Sequence, residues 1–233
     1  MAIVFADSSF GPEDFANIAR EFGFSETSFV YREEGKPLRV RSFTPAGIEI
    51  NGAGHNLLGA VGALLEKRVP IFEGQGSRPH VIMKDRTIFV EVDGLGERPR
   101  VGLRQRPASM MTQPLPVEQL GEGLSLHLED FHGKLKPTIV ATEVAHLMVP
   151  LKDIAALNRA QSNKKILYAL GQEYGFQGVY CFTPATAPDT LAEARFFNPS
   201  VGIDEDPATG SAAGPLAGFL HASGFAQADE TYR

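Results

Sequence analysis

Cysteine is almost absent from the 233-residue chain, which carries only Cys181. A single thiol excludes a disulfide bond within the chain, a zinc site built on thiolates and catalysis by a pair of cysteines. The first residues, 1–5, lack the basic flank of a secretory signal and are soon followed by an acidic residue. We therefore expect a soluble, cytoplasmic protein.

Positive charge and long apolar runs are also scarce. The 22 lysines and arginines are outnumbered by 28 aspartates and glutamates, which gives a formal charge of −6. Phosphate backbones need an electropositive face, so we expect no nucleic-acid partner. The longest apolar runs, 57–65 and 212–220, are interrupted by glycines and are shorter than the roughly 20 residues of a membrane span. A membrane partner is not expected either.

The chain does contain an alternation of short apolar runs and helix-period patterns, which predicts an α/β fold. Pro12 and Gly23 mark the two ends of a predicted first helix. The segment 94–116 is rich in Gly, Pro and Arg, and we place a domain boundary near 108–116, which gives halves 1–108 and 109–233. The predicted strands are 2–6, 27–31, 38–43, 80–83, 87–92, 138–142, 146–149, 178–183 and 191–197, and the further helices are 55–67, 151–157, 163–174 and 210–223.

The two halves contain an internal repeat. Segments 41–49 and 195–204 both read basic, aromatic, small polar, proline and then Gly-Ile-acid. Each is followed by a glycine, Gly54 or Gly210, that opens a helix of Gly, Ala and Leu. Matched positions differ by 154 (41 to 195) and 156 (54 to 210). The repeat predicts two similar halves that face each other, with a site between them.

The two glycine-opened helices are candidates for binding an anion, because a helix N-terminus presents unpaired N–H groups and partial positive charge. The alternative is that Gly and Ala only allow close packing of a buried helix. Two other glycine motifs fail on spacing. Gly52–Gly54 lacks a third glycine at the dinucleotide-binding spacing and a following Gly-Lys, and Ser211 stands one place early for a nucleophile elbow.

Three titratable residues are candidates for chemistry. Glu26 stands at the entrance to an apolar strand, where burial would raise its pKa towards that of a general base; it could instead be an exposed strand-entry residue. His55 follows Gly54 at a helix start, where the helix dipole tends to keep an imidazole neutral. The alternative is that His55 is simply a polar residue on the surface. Asp206 precedes the second helix and could take part in the chemistry; the alternative is that it simply caps the helix N-terminus. Thr209 and Ser211 could be caps or donors to a ligand.

The other polar clusters give weaker signals. Five histidines show no metal-ligand spacing, and we interpret them as structural or exposed: His80, His127, His132, His146 and His221. Four arginines are interpreted as a solvated strand face or hinge: Arg98, Arg100, Arg104 and Arg106. No metal site is predicted.

Four segments together resemble the phenazine-biosynthesis (PhzF) family of the diaminopimelate-epimerase-like fold: 24–27, 41–45, 52–55 and 206–214. These motifs are colinear from about residue 3 to residue 221, and 206–214 is the most specific. The resemblance implies two similar α/β halves, each a curled mixed sheet around a central helix, with the active site in the cleft between them. It also implies a homodimer that works without metal or cofactor.

The family's activity is isomerisation of trans-2,3-dihydro-3-hydroxyanthranilate. By resemblance, Glu26 is the acid/base that moves the proton, and His55 and Asp206 are polar residues around the substrate. Gly54, Gly210 and Ser211 match the helix starts that bind the substrate carboxylate. Epimerase relatives use two facing cysteines instead, but here those positions are Ala53 and Thr209, so two-thiol racemisation is excluded.

The chain also departs from the family pattern. It starts at what resembles the family's following strand and stops after the second central helix, so we expect strands to be missing from the sheets. Asn56 stands where proline or a small residue is commoner. We expect a cofactor-free isomerase acting on a small cyclic or α-amino carboxylate. The alternatives are a non-catalytic small-carboxylate-binding protein of the same fold and a scaffold protein without a ligand.

Overall fold

The computed structural model describes residues 1–6, 9–24, 26–50, 54–72, 75, 79–83, 86–93, 99–184, 190–201, 203–207 and 209–232. The chain forms two compact units, Met1–Arg104 and Gln105–Arg233. The boundary thus falls after residue 104, and the sequence prediction places it after residue 108. Each unit contains its own mixed sheet, helices and hydrophobic core.

The first unit is built on a seven-stranded sheet. Its elements are β1 (Ala2–Phe5), α1 (Pro12–Phe22), β2 (Thr27–Tyr31), β3 (Arg39–Phe43), β4 (Glu49–Ile50), α2 (Gly54–Glu66), β5 (His80–Met83), β6 (Arg86–Asp93) and β7 (Arg100–Leu103). The strand order is β1-β2-β3-β5-β6-β7, and β4 also pairs with β3. The pairs β1–β2 and β3–β5 are parallel, and the other neighbours are antiparallel.

Helix α1 confirms both of its predicted ends. Pro12 is its first residue, and Glu13 and Asp14 lie in the first turn, where negative charge stabilises a helix N-terminus. Gly23 ends the helix in the left-handed conformation, with φ 63°, and its N–H donates to the carbonyl of Ala19 at 3.2 Å.

Helices α1 and α2 cover opposite faces of β2 and β3, because successive side chains of a strand point to opposite faces. Phe29 packs in the cluster of Phe15 and α1, whereas its neighbour Val30 packs in the cluster of Leu57 and α2. Both Leu57 and Val61 of α2 are buried, and each such side chain stabilises the fold by about 1.5–3 kcal/mol. This buried face makes α2 the central helix of the first unit.

The second unit is built on a six-stranded sheet. Its elements are β8 (Ser109–Met111), α3 (Val117–Leu124), β9 (Thr138–Ala141), β10 (Ala145–Pro150), α4 (Ile154–Arg159), α5 (Lys164–Tyr174), β11 (Gly178–Pro184), β12 (Ala192–Asn198), β13 (Ile203–Asp206) and α6 (Gly210–Ala222). The strand order is β13-β12-β11-β10-β9-β8, and only β10 and β11 are parallel. Helix α6 buries Leu216 and Leu220 in a cluster with Phe182 on one face of the sheet.

The internal repeat is visible in the strand register. Arg41 pairs with Phe29 across β2–β3, and Arg195 pairs with Cys181 across β11–β12. Each arginine forms a bidentate ion pair with a glutamate. Arg41 donates to Glu49 at 2.8 and 2.7 Å. The Nε and Nη2 atoms of Arg195 each donate to Glu205 at 2.7 Å.

One detail of the repeat differs from the sequence prediction. The sequence matches Glu49 with the acid at 204, but the residue that occupies the equivalent ion pair is Glu205. The offset from Glu49 is therefore 156 (49 to 205), the same as from Gly54 to Gly210. The end of β13 and the start of α6 thus repeat β4 and α2 without a further insertion.

Several elements differ from the predictions. The helix predicted at 151–157 begins at Ile154, because the N–H of Leu151 bonds to the sheet at Phe182 and Asp153 caps the helix. Strands β4, β7, β8 and β13 and helix α3 are not predicted. The tip of the predicted hairpin at 84–85 and Arg98 lie outside the described residues. Within the described part of the chain, no helix combines the length and the apolar character needed to cross a membrane.

Candidate active site

Glu26 and His55 meet in the first unit at the start of the central helix. Glu26 directly precedes β2, and its backbone carbonyl accepts a hydrogen bond of 3.0 Å from Ala2 at the start of β1. His55 is the second residue of α2, and its Nε2 hydrogen-bonds to Oε2 of Glu26. The side chain of Glu26 is 22% exposed and that of His55 is 60% exposed. The pair is thus a half-buried carboxylate held by a solvent-accessible imidazole.

The predicted rise in the pKa of Glu26 is wrong in direction. The hydrogen bond from His55 lowers the pKa below the ordinary glutamate value of 4.5, and this outweighs burial, which raises it. The charge of His55, the side-chain amide of Asn56 and the chain N-terminus lower it further. Glu26 is therefore an ionised carboxylate at neutral pH, able to accept a proton.

The glycines that open α2 and α6 are not required by packing. A Cβ at Gly54 would have only an ordinary contact of 3.6 Å with Leu103, and one at Gly210 would meet nothing within 4 Å. Close packing therefore does not account for the glycines at the two helix starts. A missing Cβ at those starts leaves their N–H groups open to a ligand.

Asp206, Gly210 and Ser211 lie in the second unit at the start of α6. Asp206 is the last residue of β13, and its Oδ2 accepts a hydrogen bond of 2.5 Å from the hydroxyl of Thr209. Thr209, and not Asp206, is the N-cap residue of the helix. Burial and the charge of Asp206 together raise the pKa of Tyr180. Asp206 therefore contributes a negative charge beside the helix start.

A histidine that the sequence analysis interpreted as structural or exposed contacts the same helix start. His146 of β10 is only 2% exposed, and its Nε2 lies 3.1 Å from the hydroxyl oxygen of Ser211. Burial lowers the pKa of His146 to about 4, so the ring is neutral at pH 7. The available signal was its place inside the apolar run 145–150, where a lone histidine has to be buried.

Thiol chemistry has no support in the structure. Cys181 lies in the middle of β11 with no exposed surface, and burial raises the pKa of its thiol. A buried thiol of raised pKa is a poor nucleophile. Ala53, one of the two positions that hold cysteines in epimerases, lies outside the described residues. The described residues contain no group of three or more His, Cys, Asp or Glu that could hold a metal ion.

Comparison with known proteins gives consistent matches. The family model described as phenazine biosynthesis-like protein (PhzC-PhzF) matches residues 1–232. The chain is 29% identical over 229 residues to the "uncharacterized isomerase YfhB" of Bacillus subtilis, covering 97% of this chain and 76% of that protein. It is 30% identical over 223 residues to trans-2,3-dihydro-3-hydroxyanthranilate isomerase of Pseudomonas aeruginosa, covering 93% of this chain and 72% of that protein.

Solved structures show the same fold. The crystal structure of a Bacillus anthracis phenazine biosynthesis protein of the PhzF family matches with a TM-score of 0.82 at 23% identity, over 94% of this chain and 73% of that one. This confirms the predicted fold class, two curled mixed sheets with their helices. Because the family model spans nearly the whole chain and the relatives are isomerases, the chain belongs to the phenazine biosynthesis-like PhzC-PhzF family and is an isomerase.

Proposed function

We propose that the protein moves a proton on a small cyclic carboxylate by acid/base catalysis, without a cofactor, and that Glu26 carries the proton. The observation that supports this most is the Glu26–His55 pair at the open start of α2. The substrate is trans-2,3-dihydro-3-hydroxyanthranilate or a related cyclic amino acid. The name of the Pseudomonas aeruginosa relative supports this class of substrate.

In the proposed reaction, the ionised Glu26 takes the proton from the ring carbon that bears the hydroxyl group. The electrons of that C–H bond shift into the conjugated ring. Glu26, now protonated, returns the proton to a carbon further round the ring, and the resulting enol relaxes to a ketone. No atom is gained or lost, so the reaction is an isomerisation that needs no oxidant or second substrate.

His55 has the role of holding and tuning the base. Its hydrogen bond engages Oε2 of Glu26, so we place the reacting C–H at Oε1. A carboxylate held in one orientation reacts more readily, because part of the entropic cost of alignment is removed before the substrate binds. The lowered pKa of Glu26 keeps the base ionised over the whole neutral range.

The substrate carboxylate is bound by helix N-termini in this proposal. The N–H groups that begin α2 at Gly54 and α6 at Gly210 are suitable donors, and Ser211 adds a hydroxyl. Each helix start favours a negative charge through its dipole and its unpaired N–H groups. Asp206 is suited to the amino group of an amino-acid substrate, since it supplies a negative charge next to the α6 start.

Proton NMR in deuterated water tests the proposal. Wild-type protein incubated with trans-2,3-dihydro-3-hydroxyanthranilate should place deuterium at a ring carbon. Glu26→Gln should abolish the exchange and still bind anthranilate, because it keeps the size of the side chain but removes the base. The matched control is Glu91→Gln, which changes an exposed strand glutamate and should leave exchange unchanged.

Two outcomes would contradict the proposal. Exchange that persists in Glu26→Gln would show that another group is the base. Binding of anthranilate without exchange, in wild-type protein and with a panel of cyclic amino acids, would favour a non-catalytic carboxylate-binding protein.

A further inference from the structure

His146 occupies a special place in the second sheet. It belongs to β10, whose neighbour β11 runs parallel and places Gly178 directly beside it. Gly178 has no room for a side chain, because a Cβ there would overlap the ring of Phe196. That ring stands edge-on to His146, with centroids 5.1 Å apart and planes at 90°. The imidazole is thus packed against the ring of Phe196, and its Nε2 faces Ser211 at the start of α6.

The partner of His146 is accessible although His146 is not. Ser211 is exposed on the first turn of α6, and among the described residues His146 is its only hydrogen-bond partner. An exposed hydroxyl can bond to water and needs no protein partner to remain satisfied. The hydroxyl of Ser211 therefore does not require the contact with His146 to satisfy its hydrogen bonds.

Fold stability does not explain a histidine at position 146 either. Its second ring nitrogen, Nδ1, is buried and has no hydrogen-bond partner in the described part of the chain. A buried polar group without a partner costs stability, so an apolar ring of the same shape would be as stable or more stable at this position. A histidine that is unfavourable for folding and directed at an exposed hydroxyl indicates a functional role.

The unpartnered nitrogen also indicates which nitrogen carries the proton. A neutral imidazole has one N–H and one acceptor nitrogen, and burial keeps this ring neutral. A buried N–H without a partner is rarer than an under-used acceptor. The proton therefore belongs on Nε2, which has a partner, and Nε2–H donates to the oxygen of Ser211. The hydroxyl hydrogen of Ser211 then points away from His146.

We propose that His146 is a positioning residue for substrate binding: its Nε2–H holds the oxygen of Ser211, so that the hydroxyl hydrogen is free to donate to a carboxylate oxygen of the substrate. This inference rests on the proposed function, because it deepens the role given there to Ser211. A hydroxyl that already accepts one hydrogen bond is oriented as a donor and is polarised by it. His146 does not touch the substrate and takes no part in proton transfer.

The test compares His146→Phe, which keeps the ring but removes both nitrogens, with His146→Gln, which places an N–H donor near the position of Nε2. With trans-2,3-dihydro-3-hydroxyanthranilate, His146→Phe should raise KM roughly tenfold and leave kcat within about twofold. His146→Gln should recover most of the loss. The control is His221→Phe, which removes the hydrogen-bonding histidine at the far end of α6 and should leave KM unchanged.

A double-mutant cycle with Ser211→Ala separates positioning from a general structural effect. If His146 acts through Ser211, adding His146→Phe to Ser211→Ala should raise KM no further. Thermal unfolding should show His146→Phe to be at least as stable as the wild type. Effects on KM that multiply, or a loss of stability large enough to explain the change in KM, would overturn the proposal.

The nitrogen-15 shifts of the imidazole give a test that does not depend on turnover. In the free wild-type protein, they should show a neutral ring with the proton on Nε2. A proton on Nδ1 would overturn the role of His146 even if the enzyme is active. Conversely, a protein that turns over neither trans-2,3-dihydro-3-hydroxyanthranilate nor any of the cyclic amino acids would contradict the proposed function. The imidazole tautomer would still show whether Nε2–H of His146 donates to Ser211.

Discussion

The two units carry side chains of different chemical character at corresponding structural positions. In the first unit, the residue before β2 is Glu26, and the second residue of α2 is His55. The repeat places Gly178 and Ser211 at the corresponding positions of the second unit, at offsets of 152 (26 to 178) and 156 (55 to 211). One unit therefore has an ionisable pair at its helix start, whereas the other has a neutral hydroxyl.

This difference in side chains follows from what occupies the space at the start of β2 in the first unit and of β11 in the second. At Gly178 the ring of Phe196 occupies the space that a side chain would need, and this ring packs against the buried His146. The corresponding position in the first unit keeps a carboxylate that is 22% exposed. A duplicated fold can thus keep two similar helix starts and carry an ionisable pair at only one of them.

The largest expected effect comes from giving the first unit the residue of the second. Glu26→Gly should lower turnover of trans-2,3-dihydro-3-hydroxyanthranilate by about 10²–10⁴-fold, the usual contribution of a general acid/base. The vacated space should admit a small carboxylate, so added acetate should restore part of the rate. Acetamide, which has the same shape but no basic oxygen, is the control. Equal rescue by both compounds would argue against a base at this position.

The reverse change, a side chain in the second unit, should affect folding. Gly178→Ala should lower the free energy of unfolding by about 1–3 kcal/mol, because its Cβ would overlap the ring of Phe196. Gly62→Ala in α2, where a Cβ would meet nothing within 4 Å, is the control. It should be neutral or stabilise by up to about 1 kcal/mol. Urea unfolding of both variants measures the difference, and equal stabilities would refute the packing argument.

The two repeated ion pairs should differ in strength. Arg195 also donates to the carbonyls of Leu157, Asn158 and Ala160 at the end of α4, at 2.9, 3.3 and 2.8 Å, and no such bonds are described for Arg41. We expect Arg195→Met to lower the free energy of unfolding by about 2–3 kcal/mol and Arg41→Met by about 1 kcal/mol.

Urea unfolding measures both losses. Arg104→Met is the control, since Arg104 is 82% exposed in its pair with Glu91 and such pairs contribute about 0–1 kcal/mol. A larger loss for Arg41→Met than for Arg195→Met would contradict this account of the repeat.

The smallest expected effect is a shift in the titration of Glu26. Its pKa in the folded protein lies below 4.5, chiefly because of the hydrogen bond from His55. The resulting stabilisation is present above the pKa of the unfolded chain and is lost as the pH falls through the lower, folded value. In His55→Ala, burial remains as an effect that raises the pKa, so the value should move up. Carbon-13 titration of the side-chain carboxyl measures this, and an unchanged pKa would remove His55 from its tuning role.

Local signals in the sequence predicted much of the fold. Pro12 and Gly23 mark the ends of α1, since the conformations of proline and glycine are set by the residue itself. The repeat was readable because its Arg, Phe and Pro recur at nearly constant spacing. Strand β4 was missed because it has two residues, and β7 and β8 because they lie in or beside a segment rich in Gly, Pro and Arg. Such short strands are defined by their partners and not by their own pattern.

The candidate site was predictable only in part, for the same reason. The direction of the Glu26 pKa shift depends on the distance to His55, 29 positions along the chain, and burial alone gave the wrong sign. His146 was overlooked because its contact with Ser211 joins β10 to α6, 65 positions apart along the chain. The predicted homodimer, cytoplasmic location and absence of a cofactor remain predictions.

The central claim is that Glu26 moves the proton and that Ser211 helps to bind the substrate carboxylate. The most direct test measures kcat for trans-2,3-dihydro-3-hydroxyanthranilate and Kd for anthranilate in Glu26→Gln and Ser211→Ala side by side. Glu26→Gln should lose kcat and keep Kd within about twofold, whereas Ser211→Ala should weaken Kd roughly tenfold and keep most of kcat. If both variants lose kcat and affinity to the same extent, Glu26 and Ser211 do not have these separate roles.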